Sequence, residues 1–273
     1  MSKAMQFKAR IKNLALKNRV SAQSVLQNFM LERLLERISV SEHKDRFVLK
    51  GGMLIASLVG IDSRTTMDMD ATITGYPLAE ESLNSALLEI CAIQLDDDTT
   101  FTLDYITPIR DDDEYGGYRA AILASYESIN TPLKLDVTTG DIMTPGAIRY
   151  KFRSNFEDKT IEVWAYNIET ILAEKVETIL RRGVLNTRLR DFYDVYIIAK
   201  RQKINRKLFA TALNATSQRR GSFAALQDKE NIMAAIQADA TMAQRWRLYC
   251  QENYYARDIE FGEIMSVLDE LLK

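Results

Sequence analysis

Residues 46–74, RFVLKGGMLIASLVGIDSRTTMDMDATIT, constrain the fold more than any other stretch of this chain. The apolar run at 47–49 predicts a strand, and Gly51 and Gly52 predict a turn directly after it. A short apolar helix is then predicted over 53–59, followed by a polar loop and a second strand. The stretch therefore predicts a strand, a glycine turn, a helix and a strand in immediate succession.

The second strand of this stretch places two acids on one face. Because side chains alternate along a strand, Asp68 and Asp70 share a face, whereas Met67, Met69 and Ala71 point the other way. Neighbouring carboxylates repel each other, and a divalent cation compensates that repulsion where the face is partly covered. Together with a glycine turn that lets a phosphate approach the backbone, the pair predicts metal-assisted chemistry on a nucleotide.

Composition narrows the classes of protein that the chain can be. Its 273 residues and 47% hydrophobic content allow one large domain or two modest ones with a real core. The single histidine, His43, argues against zinc hydrolases and Ser-His-Asp enzymes, because both need imidazoles. Cys91 and Cys250 lie far apart and suggest neither a disulfide framework nor a metal cluster. No apolar run approaches the ~20 residues of a membrane span, so we expect a cytoplasmic protein that does not enter the membrane.

The net charge of −2 hides an uneven distribution. Residues 1–19 hold six Lys or Arg and no acid, whereas residues 89–114 hold nine acids and one Arg. Residues 175–220 hold twelve Lys or Arg and three acids. One face could therefore attract a polyanion, although solvated helix faces and turns would give the same pattern.

Helices are predicted at the N-terminus. Apolar residues recur near helical spacing between 20 and 39, and Ser21 is placed to cap this helix. A helix-turn-helix DNA reader can be drawn through residues 8–38, which makes a DNA-binding regulator one hypothesis. Two amphipathic helices that pack on the following domain have the same periodicity, so the pattern alone leaves both interpretations open.

A helix, a strand hairpin and a further strand are predicted next. The last of these strands, LKLDVTTGD, places Asp136 on the face opposite to Leu135 and Val137. Asp136 is therefore a candidate third carboxylate beside Asp68 and Asp70, although an exposed acid on an edge strand fits the pattern equally. The predicted bounds are 78–94 for the helix and 101–109, 118–127 and 133–141 for the strands, with the acidic link DDDEYGG between the first two strands.

The chain changes from strands to helices near residue 166, which predicts two domains, 1–166 and 167–273. Asn167 can cap a helix that ends at Gly183. Lys175 lies inside the apolar stripe of that helix. A lysine in such a position must snorkel, pair with an acid or meet the negative charge of a ligand.

The following helix, predicted over 188–202, contains RLRDFYDVYII. Arg188, Asp191 and Asp194 are spaced three residues apart and therefore project from one side of it. A ladder of Arg-Asp ion pairs on a surface helix is the alternative interpretation. Farther on, the aromatic and basic stretch 245–257 fits stacking on nucleic-acid bases, but aromatic residues at helical spacing more often form a core.

Five motifs in order make the chain recognisable as a whole: FVLKGG, R-T-T-M-D-M-D, L-D-V, I-L-A-E-K-V-E-T-I-L-R-R and R-L-R-D-F-Y-D-V-Y. Over about residues 20–200 this succession resembles the AbiEii family of nucleotidyltransferase toxins, which includes the MenT toxins. The resemblance implies an α+β fold, with a polymerase-beta-like nucleotidyltransferase core built on a mixed sheet. It also implies N-terminal helices and a C-terminal helical domain that contributes residues to the site.

The resemblance implies a nucleotide-binding set in the core. Gly51 and Gly52 would line the triphosphate site next to Lys50. Thr66 stands where the family usually has a serine two residues before the first Asp, and it keeps the hydroxyl group.

Catalytic and metal-binding roles are implied as well. Asp68 and Asp70 would bind Mg²⁺, and Asp136 is the candidate third ligand. Lys175 would contact the nucleotide phosphates, and an acid of the next helix would complete the site. The predicted catalytic set is Asp68, Asp70, Lys175, Asp191 and Asp194.

The predicted reaction is an in-line displacement at the α-phosphorus of an NTP, with pyrophosphate as the leaving group. The leading hypothesis is a toxin of a toxin-antitoxin or phage-defence system that moves NMP onto RNA, at the 3′ end of tRNA, and so blocks translation. An AbiEi-like antitoxin protein is its expected partner. A nucleotidyltransferase that modifies a protein is the first alternative, and the DNA-binding regulator is the second.

Overall fold

The structure is a computed structural model that describes residues 2–75, 79–109 and 116–273. Over these ranges the chain forms eleven α-helices and seven β-strands, with two short 3-10 helices. None of the described helices is both long and apolar enough to cross a bilayer. The chain divides into two compact units, one made of Met1–Asp141 and Ile148–Ala165 and the other of Ile142–Ala147 and Tyr166–Lys273.

The first unit combines four helices with the sheet. In chain order its elements are α1 (Lys3–Asn18), α2 (Ala22–Val40), β1 (Phe47–Lys50), α3 (Gly51–Val59), β2 (Met69–Ile73), α4 (Glu80–Ala92), β3 (Thr99–Pro108), β4 (Gly117–Tyr126), β5 (Ile129–Thr139), β6 (Ile148–Arg153) and β7 (Thr160–Ala165).

The strands form one seven-stranded sheet over the described residues, in the order β3-β4-β5-β2-β1-β7-β6. The pairs β1–β7 and β2–β5 are parallel and the other pairs are antiparallel. On β5, Leu133, Leu135 and Val137 are buried, as their alternation predicts. The α+β class with a mixed sheet is confirmed. Because β5 lies between β4 and β2, the interpretation of Asp136 as an acid on an edge strand is wrong.

Helix α2 packs inside the first unit. Ser21 caps it by accepting a hydrogen bond from the backbone N–H of Ser24, as predicted. The helix contacts β5, β7 and α4, and every residue from 27 to 35 is buried. A recognition helix must present its side chains to the major groove. The burial of α2 therefore argues against the helix-turn-helix interpretation.

The second unit is helical. Its helices are α5 (Ile168–Arg182), α6 (Leu189–Arg201), α7 (Arg206–Arg219), α8 (Phe223–Gln227), α9 (Lys229–Ala238), α10 (Ala240–Glu252) and α11 (Phe261–Leu272). Asn167 caps α5 by accepting from the N–H of Thr170, and Gly183 follows its last residue, as predicted. Within the aromatic stretch 245–257, Trp246 belongs to the core, since it is 2% exposed and its indole N–H donates to the carbonyl of Ile259, whereas the three tyrosines are half-buried.

Three predictions of local structure need correction. Helix α3 begins at Gly51, directly after β1, so the glycine pair forms its first turn and not a separate loop. Asp68 precedes β2, and Met67 is 45% exposed because the alternation of the strand has not yet begun there. Helix α4 begins at Glu80; the predicted start at Leu78, and most of the link 111–117, lie outside the described residues.

Candidate active site

One row of the sheet in the first unit carries four charged residues on adjacent strands. Lys50 of β1 lies opposite Asp70 of β2. Asp70 in turn lies opposite Asp136 of β5, which lies opposite Arg119 of β4. Directly opposed residues of neighbouring strands project from the same face of a sheet. This charged row, Lys50-Asp70-Asp136-Arg119, thus places two carboxylates side by side with a cation at each end.

The carboxyl group of Asp70 has a raised pKa. Burial raises the pKa of Asp70 to about 6, and the negative charges of Asp68 and Asp136 act in the same direction. Lys50 and the backbone N–H of Gly52 oppose this rise, the latter from 3.3 Å. The charge of Asp70 is therefore only partly compensated by the protein around it.

The two glycines let helix α3 approach the acids. Gly51 has a φ of +65°, in the left-handed region that disfavours a side chain, and a Cβ atom there would overlap the Asp70 carboxylate. A Cβ atom at Gly52 would lie 2.6 Å from the hydroxyl oxygen of Thr66. The N-terminus of α3, where backbone N–H groups point outward and the helix dipole is positive, consequently lies against Asp70.

Thr66 and two amides of α2 fix the loop that leads to Asp68. The Thr66 hydroxyl donates to Oδ1 of Asp68 at 2.8 Å. The side-chain amide of Asn28 donates to the Thr66 carbonyl at 3.1 Å, and that of Gln27 donates to the Met67 carbonyl, also at 3.1 Å. Sequence reasoning missed both amides. The signal was available, because Gln27 and Asn28 stand between the apolar residues Leu26 and Phe29.

Asp141 is a second residue that the motifs did not reveal. Its Oδ2 accepts from the Lys50 ammonium at 2.6 Å and from the hydroxyls of Thr72 and Thr138 at 2.9 and 2.7 Å. Burial alone would raise the pKa of Asp141, but Lys50 and the hydroxyls outweigh it and hold that pKa below its usual value. Lys50 is therefore anchored by Asp141 beside the acid pair.

Asp136 forms a bidentate ion pair with Arg119. The guanidinium Nε and Nη2 donate to the two carboxylate oxygens at 2.7 and 2.6 Å. Sequence reasoning also missed Arg119, which sits in an apolar strand pattern without a motif of its own. Asp136 lies beside Asp70 as a third carboxylate should, but both of its oxygens already accept from this arginine.

The acid pair in this arrangement is suited to a divalent metal ion. No group of three or more His, Cys, Asp or Glu among residues 2–75, 79–109 and 116–273 is arranged to hold a metal ion. Asp68 and Asp70 nevertheless offer hard carboxylate oxygens, the donors that Mg²⁺ prefers, and the raised pKa of Asp70 shows that added positive charge would be favourable there. The residues present fit a cation held by this pair.

The second unit brings Lys175, Asp191 and Asp194 together. The Lys175 ammonium lies 2.6 Å from Asp191 and 2.8 Å from Asp194, which is fully buried. Burial alone would lower the pKa of Lys175, but the two carboxylates outweigh it and raise the pKa above its usual value. Of the three possibilities for this lysine, the structure shows pairing with acids. The interpretation of Asp194 as part of a surface ladder is wrong, because the side chain is inaccessible.

The predicted site residues thus fall into two groups. The structure brings together Lys50, Gly51, Gly52, Thr66, Asp68, Asp70 and Asp136 in the first unit, and Lys175, Asp191 and Asp194 in the second. Their roles toward a nucleotide stay predictions.

Comparisons with known proteins identify the family and the fold. A family model described as "Nucleotidyl transferase AbiEii toxin, Type IV TA system" matches residues 33–267. The structure is similar to MenT4, a nucleotidyltransferase toxin of Mycobacterium tuberculosis H37Rv, with 14% identity, 97% of each chain covered and a TM-score of 0.58. It is also similar to JHP933 from Helicobacter pylori, with 15% identity, 92% of this chain and 91% of that chain covered and a TM-score of 0.50. At these identities the likeness shows a shared fold. No curated protein sequence matches the chain.

Proposed function

Because the chain belongs to the AbiEii family of nucleotidyltransferase toxins of type IV toxin-antitoxin systems, we propose that it moves NMP from an NTP onto RNA. The proposed acceptor is the 3′ end of tRNA, so that the modified tRNA no longer supports translation. Family membership implies a nucleotide substrate and an antitoxin, and we propose an AbiEi-like antitoxin protein. We place the reaction in the cytoplasm and propose that it depends on Mg²⁺.

One observation carries the proposal. Asp70, with a carboxylate charge that the protein compensates only in part, lies beside Asp68 and against the N-terminus of α3. A metal ion bound by the two acids would neutralise charge on the reacting phosphate and favour deprotonation of the attacking hydroxyl. A helix N-terminus that begins with two glycines is suited to phosphate oxygens.

The chemistry assigns tasks to six site residues of the first unit. In the transfer, an acceptor hydroxyl oxygen bonds to the α-phosphorus, the bond from that phosphorus to the bridging oxygen breaks, and pyrophosphate leaves while the hydroxyl proton passes to solvent. Asp68 and Asp70 would hold the cation. Gly51, Gly52 and Lys50 bind the triphosphate, and Thr66 orients Asp68 through its 2.8 Å hydrogen bond.

For the second unit, we keep the proposal that Lys175 contacts the nucleotide phosphates and that Asp191 and Asp194 complete the site. Their mutual ion pairs support a simpler role as well, since each acid already neutralises part of the lysine charge. The two roles make different predictions for mutants of Lys175.

RNA is favoured as the acceptor by exposed positive charge in the second unit. Exposed basic side chains lie at the start of α6 (Arg188 and Arg190) and, as a separate cluster, from its C-terminal end to the start of α7 (Lys200, Arg201, Lys203 and Lys207). Arg206, next to this cluster, pairs with Glu270 at 2.6 Å. Such a cluster suits an RNA backbone. Other basic residues of this segment do not contribute, because Arg181 and Arg220 form ion pairs with the buried Glu177 at 2.9 and 2.8 Å.

The test is a transfer assay with each of the four labelled NTPs, Mg²⁺ and total tRNA. We expect label at the RNA 3′ end with wild-type protein, and none with Asp68→Asn or Asp70→Asn, because each substitution removes a metal-binding charge at almost constant volume. Asp45→Asn, which changes an exposed acid elsewhere in the first unit, is the control and should transfer normally.

Three outcomes would change the proposal. Label on a protein and on no RNA would favour the protein-modifying alternative. Sequence-specific DNA binding by a variant that lacks both acids would favour a regulator. Full transfer by the folded Asp68→Asn and Asp70→Asn variants would overturn the metal assignment.

A further inference from the structure

Arg119 and its partner Asp136 are the two members of the charged row to which the proposed reaction gives no task. The guanidinium of Arg119 binds both oxygens of Asp136, while 46% of the arginine side chain is exposed, against 16% for the side chain of Asp136. An arginine held by a carboxylate in this way is fixed in orientation yet open to solvent. Fixed, exposed guanidinium groups are well suited to phosphate oxygens.

The order of the row shows on which side of the proposed triphosphate site Arg119 lies. The proposed triphosphate site lies at the Lys50 end, where β1 continues into the N-terminus of α3. Arg119 lies at the other end, beyond both carboxylates. Neighbouring strands are about 4.8 Å apart, so three gaps place Arg119 roughly 14 Å along the row from Lys50.

In an in-line displacement, the acceptor and the leaving group also lie at opposite ends of the reacting centre. The attacking oxygen and the leaving pyrophosphate lie on opposite sides of the α-phosphorus. If the pyrophosphate lies toward Lys50 and the cation is held near Asp70, the acceptor approaches from the side of Asp136 and Arg119. We propose that Arg119 binds a backbone phosphate of the acceptor RNA and that Asp136 is a positioning residue for this arginine.

This inference rests on the proposed function and adds an acceptor-binding role to it. Asp136 then serves Arg119, and the metal ion is bound by Asp68 and Asp70. The bidentate pair supports this division, because the charge of Asp136 is matched by a guanidinium. The arrangement of the described acids agrees with it, since no three of them are grouped to hold a metal ion.

The experiment compares Arg119→Gln, Arg119→Lys and Asp136→Asn with a matched control pair, Arg149→Gln and Asp45→Asn. Arg149 lies on β6 of the same sheet and forms an exposed ion pair with Asp45 at 3.2 Å. We measure the KM for tRNA, the KM for the NTP, and the dependence of tRNA binding on salt concentration.

We expect Arg119→Gln to raise the KM for tRNA about tenfold through loss of a charged hydrogen bond, with the KM for the NTP unchanged. The slope of log binding constant against log salt should fall by about 0.7 to 0.9, which corresponds to one phosphate contact. Asp136→Asn should raise the KM for tRNA less and keep the salt slope, because the arginine charge remains. Arg119→Lys should keep the salt slope too, and the control pair should match wild type.

Binding of Mn²⁺ to the protein alone, followed by calorimetry, provides a readout without turnover. Asp70→Asn should abolish binding, whereas Arg119→Gln and Asp136→Asn should leave the Kd within about twofold, because neither residue is assigned to the cation. A tenfold weaker Mn²⁺ affinity for Asp136→Asn would make Asp136 a metal ligand and overturn the inference. An unchanged salt slope and KM for tRNA in Arg119→Gln would overturn it equally.

Failure of the proposed function gives a different pattern. If the acceptor is not RNA, wild-type protein does not label tRNA at all, while Mn²⁺ binding to Asp68 and Asp70 persists. If wild-type protein labels tRNA and Arg119→Gln behaves as the Arg149→Gln control does, the function stands and the role of Arg119 is wrong.

Discussion

The two charged clusters of this protein, one in each unit, combine similar residues with opposite electrostatic results. In the first unit the acids Asp68 and Asp70 lie together, and Lys50 is already bound by Asp141. In the second unit Lys175 lies between two carboxylates at 2.6 and 2.8 Å. The pKa of Asp70 is raised, which means that its charged form is disfavoured, whereas the raised pKa of Lys175 means that its charged form is favoured.

The two clusters differ in whether the protein itself compensates the charge. A carboxylate that is incompletely compensated lowers the stability of the folded protein and gains most from a cation supplied by a ligand. A buried ammonium that is matched by two acids needs no ligand, and its removal leaves those acids uncompensated. We therefore expect the contribution of the first cluster to stability to depend mainly on bound metal and on pH. That of the second should depend mainly on whether Lys175 and its two acids are all present.

The largest expected effect comes from Lys175→Met. The substitution leaves the fully buried Asp194 without its cation and should destabilise the protein by about 3–5 kcal/mol, measured by denaturant unfolding. Lys207→Met, at an exposed position of α7, is the control and should change stability little. A stability close to wild type in Lys175→Met would show that the pair contributes nothing and would erase the contrast between the clusters.

The double variant Lys175→Met with Asp194→Asn sharpens this test. Removing both charges should recover part of the lost stability, because the fully buried carboxylate is gone and the remaining acid, Asp191, has 14% of its side chain exposed. Stabilisation of this variant by NTP and Mg²⁺ then reports on phosphate binding. Normal NTP-dependent stabilisation would make Lys175 structural, and its loss in a well-folded variant would support the predicted contact.

A smaller effect of opposite sign is expected for Asp70→Asn. The folded pKa of about 6 exceeds the usual 3.8, so ionised Asp70 destabilises the fold at pH 7. The substitution removes that cost and should stabilise the protein by at most about 3 kcal/mol above pH 7. The gain should shrink as pH falls through 6 and vanish below about 4, where Asp70 is protonated in both the folded and the unfolded state.

Denaturant unfolding at pH 7.5, 6.0 and 4.0 checks this pH dependence, with Asp45→Asn as a control that should show no such trend. Mg²⁺ should stabilise wild type and not Asp70→Asn. Destabilisation by Asp70→Asn at pH 7.5 would show that Lys50 and Gly52 already compensate the charge, and the two clusters would then be alike.

The smallest effect is expected at Thr66. Thr66→Ser keeps the hydroxyl that donates to Asp68 and should change stability and transfer little. Thr66→Ala removes this donor and should cost about 1–2 kcal/mol of stability and weaken Mg²⁺ binding. Calorimetry with Mg²⁺ on both variants checks this; equal affinities would show that the hydroxyl does not orient Asp68.

The secondary structure was predictable where local chemistry decides it. Asn167 and Gly183 fix the ends of α5, and alternation along β5 separates the buried Leu135 from Asp136. The start of α3 at Gly51 was missed because a glycine pair is typical of a turn. In the structure Gly51 has a positive φ, and its missing side chain leaves room for the Asp70 carboxylate.

The chemical groups of the site were evident from the sequence: the paired acids Asp68 and Asp70, the glycines that precede them in the chain, and Lys175 within an apolar stripe. Those features depend on residue type and short spacing, which the chain specifies directly. Which charges meet depends on the folded arrangement. Arg119 reaches Asp136, Lys50 reaches Asp141 and Lys175 reaches Asp194 because strand register and helix packing bring together residues that are 17, 91 and 19 positions apart. No periodicity within one strand or helix encodes contacts over such separations, so the balance of charge at each cluster emerges only on folding.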